Sequence, residues 1–454
     1  MSEAPDEQIQ VEDGGVDFGM LIIAALCVLL TVLFWQKGWT LARLIAETVV
    51  ISIVLWQACD PFAEAAQWVG RTFRLPGSIR GATLDAISSS LPELFIGIFF
   101  VVLATEAVGT SYGNAVATCA GSAIYNMILI PAVCAIAISF WRKQRPTIEV
   151  EKAVVRRDGV FFLVCEAVLL ICLFQEAMHW WMGVALLAMY VLYIVKLQHD
   201  ARAYRLSFGP ASEVFEELGY DTSAKDASRE LAERGTKVDR TTLARIKEAL
   251  LKGKKDAESG EEEAHERVGF FFGCFRMRLN QGTALLVLAV STAIAAVACY
   301  FLVETVHDTA NLLNVPTFFV AVILAAAASS LPDMFLSIGA SRRGDDSGAV
   351  SNAFGSNIFD ICVCLSIPLL LASWLNGWQP ISLMQIRDGV LQPMEGLVGL
   401  RILLWVLSVI TLLIIWHKRQ VTRTKGVILI FLYCIFIAYA VLGSLNIQFF
   451  GYSL

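Results

Sequence analysis

The sequence predicts an all-α polytopic membrane protein: two inverted five-helix repeats, giving ten core transmembrane helices, plus one extra helix at the N-terminus. Three observations predict it. The 454 residues are 57% hydrophobic and only 17% charged, where a soluble domain carries about 25% charged residues. Apolar runs able to cross a hydrocarbon core of about 30 Å recur from end to end, and the mean hydropathy is +0.64. One polar pattern, set inside such runs, occurs twice.

Eleven spans follow from the apolar runs, near 18–36, 45–69, 78–104, 112–140, 159–175, 179–197, 283–304, 316–340, 347–374, 397–416 and 426–446. The first, FGMLIIAALCVLLTVLFW, follows an acidic tail over 1–17 without Lys or Arg. A secretory signal opens on basic residues and closes on a small-residue cleavage site, so this run reads as a retained helix. The loops sort by charge. Arg71, Arg74 and Arg80, the group from Arg142 to Arg157, Arg342 and Arg343, and the group from Lys418 to Lys425 fall in one set. The alternate loops, such as TEAVGTS and ETVHDTANLLNV, are nearly bare. Basic loops stay in the cytoplasm. That puts the first set and the N-terminus inside and the tail 447–454 outside; Lys37, Arg43 and Arg387 run against the rule.

The loop 198–282 is different in kind. It is dense in both charges and reads as a cytoplasmic segment, partly helical and partly disordered. Leu231, Leu243, Ile246 and Leu250 are spaced as a narrow amphipathic stripe. An unknown regulator at this loop is one reading, a solvated linker between the halves the other. It holds no calcium loop of the DxDxDG kind. The eleven cysteines are scattered, mostly in apolar runs. They read as small buried hydrophobes and not as a disulfide framework, and no zinc spacing occurs.

The halves 45–197 and 283–446 share two motifs, over 81–131 and 322–368. Ser89-Ser90-Leu91-Pro92-Glu93 matches Ser329-Ser330-Leu331-Pro332-Asp333, and Gly121-Ser122-Ala123-Ile124-Tyr125-Asn126 matches Gly355-Ser356-Asn357-Ile358-Phe359-Asp360. Five spans per half force the copies to face opposite ways, the mark of a transporter with its site at the bilayer midplane. Each Pro removes a backbone donor, which is expected to disrupt the helix there and free carbonyl oxygens. Ser89 and Ser90 share a helix face with Glu93, Ser329 and Ser330 with Asp333, Ser122 with Asn126, and Ser356 with Asp360. Folded together, the copies are expected to gather Glu93, Asp333 and Asp360 in one site with hydroxyl, amide and carbonyl oxygens. Without His or Cys, that is a site for hard cations such as calcium. A charge at the bilayer centre costs at least about 2.5–3.5 kcal/mol, so three acids need bound cations or protons.

At these residues the sequence resembles the calcium/cation antiporter superfamily, over about 45–140 and 285–375. Within it, SSLPEL, GSAIYN, SSLPD, SNAFGSNIFD and the upstream CDPF at 59–62 look most like the potassium-dependent sodium/calcium exchangers. The resemblance implies two inverted bundles of five helices and alternating access, with sodium and calcium competing at overlapping midplane sites. It implies the ligands Ser89, Ser90, Glu93, Ser122 and Asn126 from the first repeat, and Ser329, Ser330, Asp333, Ser356 and Asp360 from the second. It also implies that an acid at Asp360 supports potassium co-binding. The linker LATEAVGTSYGNAVATC departs from the family in length and content. Thr118 stands opposite Asn352, and both read as neighbours of the site or as helix contacts.

The expected function is therefore sodium/calcium antiport with optional potassium co-transport. The transported ions are Ca2+, Na+ and K+ and no cofactor is expected. Inorganic cations and the lipid bilayer are the partners, with no nucleic acid. The host is the plasma or cell membrane, or an organellar one. A proton/calcium antiporter on the same scaffold is the alternative, and a non-transporting scaffold or sensor the second. An enzyme is the least supported reading, since His179, His307 and His417 lie outside the motifs and no nucleophile stands beside a base.

Overall fold

Long apolar helices carry the architecture of the chain in a computed structural model, which describes residues 18–445, 448–449 and 452–453 apart from 74, 76, 105, 143–145, 237, 241, 245, 248, 252–266, 343 and 388–389. The tail 1–17, most of 447–454, and Arg74, Lys143, Arg145 and Arg343 lie outside these residues, and so do the expectations made for them. In chain order the helices are α1 Phe18–Lys37, α2 Thr40–Thr72, α3 Ala82–Val102 and α4 Val108–Trp141. Then Lys152–Val154, Val155–Gly159 and Val160–Leu173 run on as one helix, α5. There follow α6 Trp180–Leu218, α7 Gln281–Leu313, α8 Thr317–Arg342, α9 Asp346–Leu375, α10 Leu397–Trp416 and α11 Arg423–Ser444. Ten of the eleven regions are long and apolar enough to cross a membrane unbroken. The remaining one, α5, carries a π turn at Val155–Gly159, as four of those ten also do at other positions. α1 has no buried residue, as expected of a helix bordered by lipid.

Local chemistry sets the ends. α7 opens on a capping box, with Thr283 N donating to Asn280 Oδ1 (2.9 Å) and Asn280 N to Thr283 Oγ1 (2.7 Å). It closes on Asn314 in the left-handed region, φ 53°. α9 is capped by Asp345, whose Oδ1 accepts from Gly348 N (2.8 Å). Two helices outrun their apolar segments. α6 continues 21 residues past 197, and α7 runs to 313 instead of 304. Hydropathy marks where lipid ends, and helical hydrogen bonding goes on beyond it. The extension of α6 packs Ala211, Val214 and Phe215 against Ala227, Leu231, Leu243 and Ile246. The four spaced leucine and isoleucine residues therefore do meet in one apolar cluster, with Leu250 against it. They come from separate helical pieces around a bend at 234–236, and not from one stripe. Residues 252–266 of this loop lie outside the described residues. Its last part is a hairpin, Arg267–Phe270 with Phe275–Arg278, tied to α2 by Phe272 N donating to Gln57 Oε1 (2.7 Å).

The loops sort into two groups that contact only their own kind in the strand pairs: Ile148–Glu149 with Gln420–Val421, both in basic loops, and Ala177–Met178 with Ile381–Ser382, both in bare ones. On the basic side Arg142, at the end of α4, grips the α8–α9 corner. It pairs with Asp346 (2.9 Å) and donates to Ser341 O. Deeper in, Asp158 of α5 is fully buried. It accepts from Arg157, from Tyr193 of α6 (3.1 Å) and from Ser351 of α9 (2.8 Å).

The helix does not break at the motif prolines as expected. α3 runs through Pro92 unbroken, and α8 shows a single non-helical residue, Ser330, before Pro332. The irregularity lies about two to three turns earlier, in π-helical turns at Gly81–Asp85 and Ala321–Ala325. These are equivalent positions of the two repeats. Matching π turns occupy Tyr125–Leu129 in α4 and Asp360–Cys364 in α9. In α4 and α9 the carbonyls four residues before Pro131 and Pro368, those of Met127 and Cys364, fall within these turns, where an extra residue eases the clash with the ring, and π turns are common where a helix serves a site.

The repeats lock together at these turns. A Cβ on Gly121 of α4 would lie 2.2 Å from Val322 O and 2.7 Å from Ala326 Cβ of α8. A Cβ on Gly355 of α9 would lie 2.7 Å from Ala82 O and 2.8 Å from Ala82 Cα of α3. Each repeat thus seats a glycine on the π turn of the other, backbone against backbone. Gly355→Ala is expected to destabilise by about 1–3 kcal/mol, the cost of overpacking, read as a lower melting temperature of the detergent-solubilised protein. Gly282→Ala, where a Cβ meets only Asn280 Oδ1 at 3.4 Å, is expected to leave it unchanged or slightly raised. Equal melting temperatures for the two variants would contradict the locked crossing.

Candidate cation site

The crossing brings α3, α4, α8 and α9 together, and all ten residues singled out in the motifs are fully buried where they meet. Ser122 is the hub. Its hydroxyl lies 3.0 Å from Glu93 Oε1 and 3.0 Å from Asp360 Oδ2, so it bridges carboxylates of opposite repeats. Ser330 Oγ lies 2.8 Å from Ser122 Oγ and 3.3 Å from Glu93 Oε1. Asn126 Nδ2 donates to Asp333 Oδ2 (3.2 Å) and stands 3.4 Å from Ser122 Oγ. Ser356 donates to Asp333 Oδ1 (2.7 Å), and its hydroxyl meets Ser89 Oγ at 3.2 Å. Ser329 stands beside Glu93 and Ser90 beside Asp360. Neither closes a hydrogen bond to its carboxylate: Ser329 Oγ donates to Ala326 O (3.2 Å), and Ser90 Oγ has no partner.

The repeat symmetry is followed and then broken. Ser122–Glu93 and Ser356–Asp333 are equivalent contacts. At the next equivalent position one repeat has an amide and the other an acid. Asn126 therefore ties Asp333 by a hydrogen bond, while Asp360 adds a second carboxylate on the Glu93 side. Among the described residues none of the three acids has an ion pair. Glu93 Oε2, Asp360 Oδ1 and Asn126 Oδ1 accept no hydrogen bond there although buried. Buried acceptors normally find partners, so these three oxygens are available to a ligand. The hydroxyls suit either state, donating to carboxylates when no cation is held and turning lone pairs to one that is.

The three carboxylates meet in one buried network. Among the described residues no three His, Cys, Asp or Glu side chains form a ready metal cage. The acids are instead strung along a network: Glu93 and Asp360 share Ser122, and Asp333 is reached through Asn126. This arrangement offers adjacent oxygen-lined positions along the network. Two residues gain definition. Asn352 Nδ2 donates to Asp333 Oδ1 (3.1 Å) and approaches Ser337 Oγ (3.3 Å), so it belongs to the network. Its place four residues before Ser356 and eight before Asp360 puts all three on one helix face. Its counterpart Thr118 only bonds back to Asn114 O (3.1 Å).

The site can be set beside known proteins. The sequence profile of the sodium/calcium exchanger protein family matches residues 43–197 and 283–442, both repeats. Sodium/potassium/calcium exchanger 4 of Homo sapiens is 22% identical over 91% of this chain and 83% of its own length. Exchanger 5 of Homo sapiens is 24% identical over 73% of this chain and 70% of its own. Among solved structures, the H+/Ca2+ exchanger CAX superposes with a TM-score of 0.55 at 13% identity, covering 93% of this chain and 92% of CAX. The sodium-calcium exchanger NCX_Mj superposes with a TM-score of 0.50 at 17% identity, covering 87% of this chain and 97% of NCX_Mj. The two structures share the helical inverted-repeat transporter fold with this chain. The profile covers most of the sequence and both halves of the buried network, and the chain belongs to the sodium/calcium exchanger family.

Proposed function

We propose that the chain is a secondary active antiporter exchanging sodium for calcium, with potassium carried beside calcium, by alternating access to the network around Ser122. The carrying observation is that Ser122 joins Glu93 to Asp360 across the repeats, with unengaged carboxylate oxygens on both sides. Calcium takes about 6–8 oxygens at 2.3–2.6 Å. Glu93, Ser122, Ser330, Asp333 and Asn126, with the hydroxyls of Ser89 and Ser356, supply enough. Sodium ions at the same oxygens would displace calcium, which gives exchange. Asp360 carries the potassium reading. Its free oxygen adds charge beside Ser122, and relatives that the chain matches are sodium/potassium/calcium exchangers by name.

For alternating access, α2 and α7 are the moving pair. They pack side by side along their length and against α3. The motif helices are held by the glycine crossings and serve as the fixed core. Asp60 is half-buried on α2, while Glu64 and Glu304 are exposed, so these three read as groups at the edges of the moving pair. The structure of CAX supports the same scaffold for a proton-coupled exchanger. The hydroxyl-rich network favours sodium, which needs several oxygens where a proton needs one.

Calcium-45 uptake into sodium-loaded proteoliposomes is expected to need the outward sodium gradient and to rise with external potassium. Asp360→Asn is expected to keep sodium-dependent uptake and lose the potassium effect. Uptake that ignores sodium and follows an imposed pH gradient would replace this reading with proton coupling. Ser122→Ala removes the bridging hydroxyl and is expected to weaken calcium affinity about 10–100-fold, the usual range for loss of a positioning partner. The apparent KM for calcium in the same assay checks it. An unchanged KM would remove Ser122 from the site.

A further inference from the structure

The face of α4 that carries Ser122 and Asn126 does not end there. Thr110, Asn114, Thr118, Ser122 and Asn126 follow one another at i,i+4 and so share one face. At 1.5 Å per residue Asn114 lies about 12 Å from Ser122 along the helix. Asn114 is fully buried, and neither its Oδ1 nor its Nδ2 has a hydrogen-bond partner. A buried amide with both ends unengaged is unusual in a folded protein. In α9 the equivalent stretch has no such group, because residue 348 is glycine and the amide of Asn352, one turn nearer the site, is spent on Asp333.

Asn114 also lines a cleft of about 340 Å³. The cleft lies between the start of α4, the start of α8 and the segment before α10, and Glu106, Thr317 and Glu395 line it with Asn114. All three segments are loops of the Lys/Arg-poor set, so the cleft opens on the face away from the basic loops. Thr317 Oγ1 lies 3.4 Å from Glu106 Oε1, joining the two sides of the mouth. Close packing fixes the wall: a Cβ on Gly113 would fall 2.2 Å from Met394 Cε.

We propose that this cleft is an outer cation station, distinct from the central network, where a partly hydrated calcium or sodium ion sits on Asn114 Oδ1 below the Glu106 and Glu395 carboxylates before passing along α4 to Ser122. The acids raise the local cation concentration. The amide oxygen replaces one water of the ion, and Nδ2 donates to another water of its shell. The proposal rests on the exchange function given above and adds an entry site with its own residues.

Two measurements on the full-length chain test it. In cells expressing the chain, Asn114→Leu is expected to raise the outer-face KM for calcium about tenfold with kcat retained, and Asn114→Asp is expected to lower that KM. The inner-face KM for calcium should stay within about twofold for both. A KM unchanged in Asn114→Leu, or raised equally on both faces, would overturn the proposal. The second measurement does not depend on transport. Calcium titrated into purified Ser122→Ala protein is expected to show the weakened central site and one further weak site, the latter absent from Ser122→Ala/Asn114→Leu. If that site is found while wild type exchanges nothing, the station stands and the exchange function falls. If wild type exchanges normally and the weak site is missing, the station falls alone.

Discussion

Two backbone contacts organise the molecule: Gly121 on the π turn at Val322, and Gly355 on the π turn at Ala82. They are related by the internal repeat, and each joins opposite halves of the chain. Because both glycines immediately precede a motif serine, closing these contacts places Ser122 and Ser356 among carboxylates of both repeats. The geometry of the site is thus set by packing of small residues, which holds inside a membrane where the hydrophobic effect between helices is absent. A larger residue at either glycine would part the helices and lengthen every contact in the network.

The network then owes its chemistry to an imperfect repeat. Had both copies ended in Asn, the site would hold two acids, each tied by an amide. Asp360 in place of a second Asn puts two carboxylates on either side of one hydroxyl, with no base to neutralise them among the described residues. An arrangement of that kind is tolerable in a bilayer only when cations or protons are present. On the function proposed above, exchange of one cation for another follows: acids of this kind would not release an ion without taking up another charge in its place.

Much of this was legible in the chain itself. The doubled SSLP and GS motifs located the ten central residues, and the apolar runs located all eleven helical regions. Other features leave little trace in the sequence. A π turn adds one residue to a helical turn without a compositional mark, so the irregularity was placed at the prolines and not before them. The ends of α6 and α7 lie beyond their apolar stretches, where only packing of Ala211, Val214 and Phe215 and the cap at Asn314 define them. The role of Asn352 depends on which way its amide turns, and Thr118, opposite it in the repeat, turns back on its own helix. The stringing of the acids through Ser122 is a matter of ångströms that spacing alone does not determine.

The central claim is that the cation is held between the repeats by the Ser122 network. An anomalous difference map from crystals grown with calcium and without sodium tests it most directly. The account predicts a peak bounded by Glu93, Ser122 and Asp333 at about 2.3–2.6 Å from their oxygens, the calcium–oxygen range, and its loss when the crystals are soaked in sodium. Ordered calcium elsewhere in the bundle with this network empty, or a peak indifferent to sodium, would contradict it.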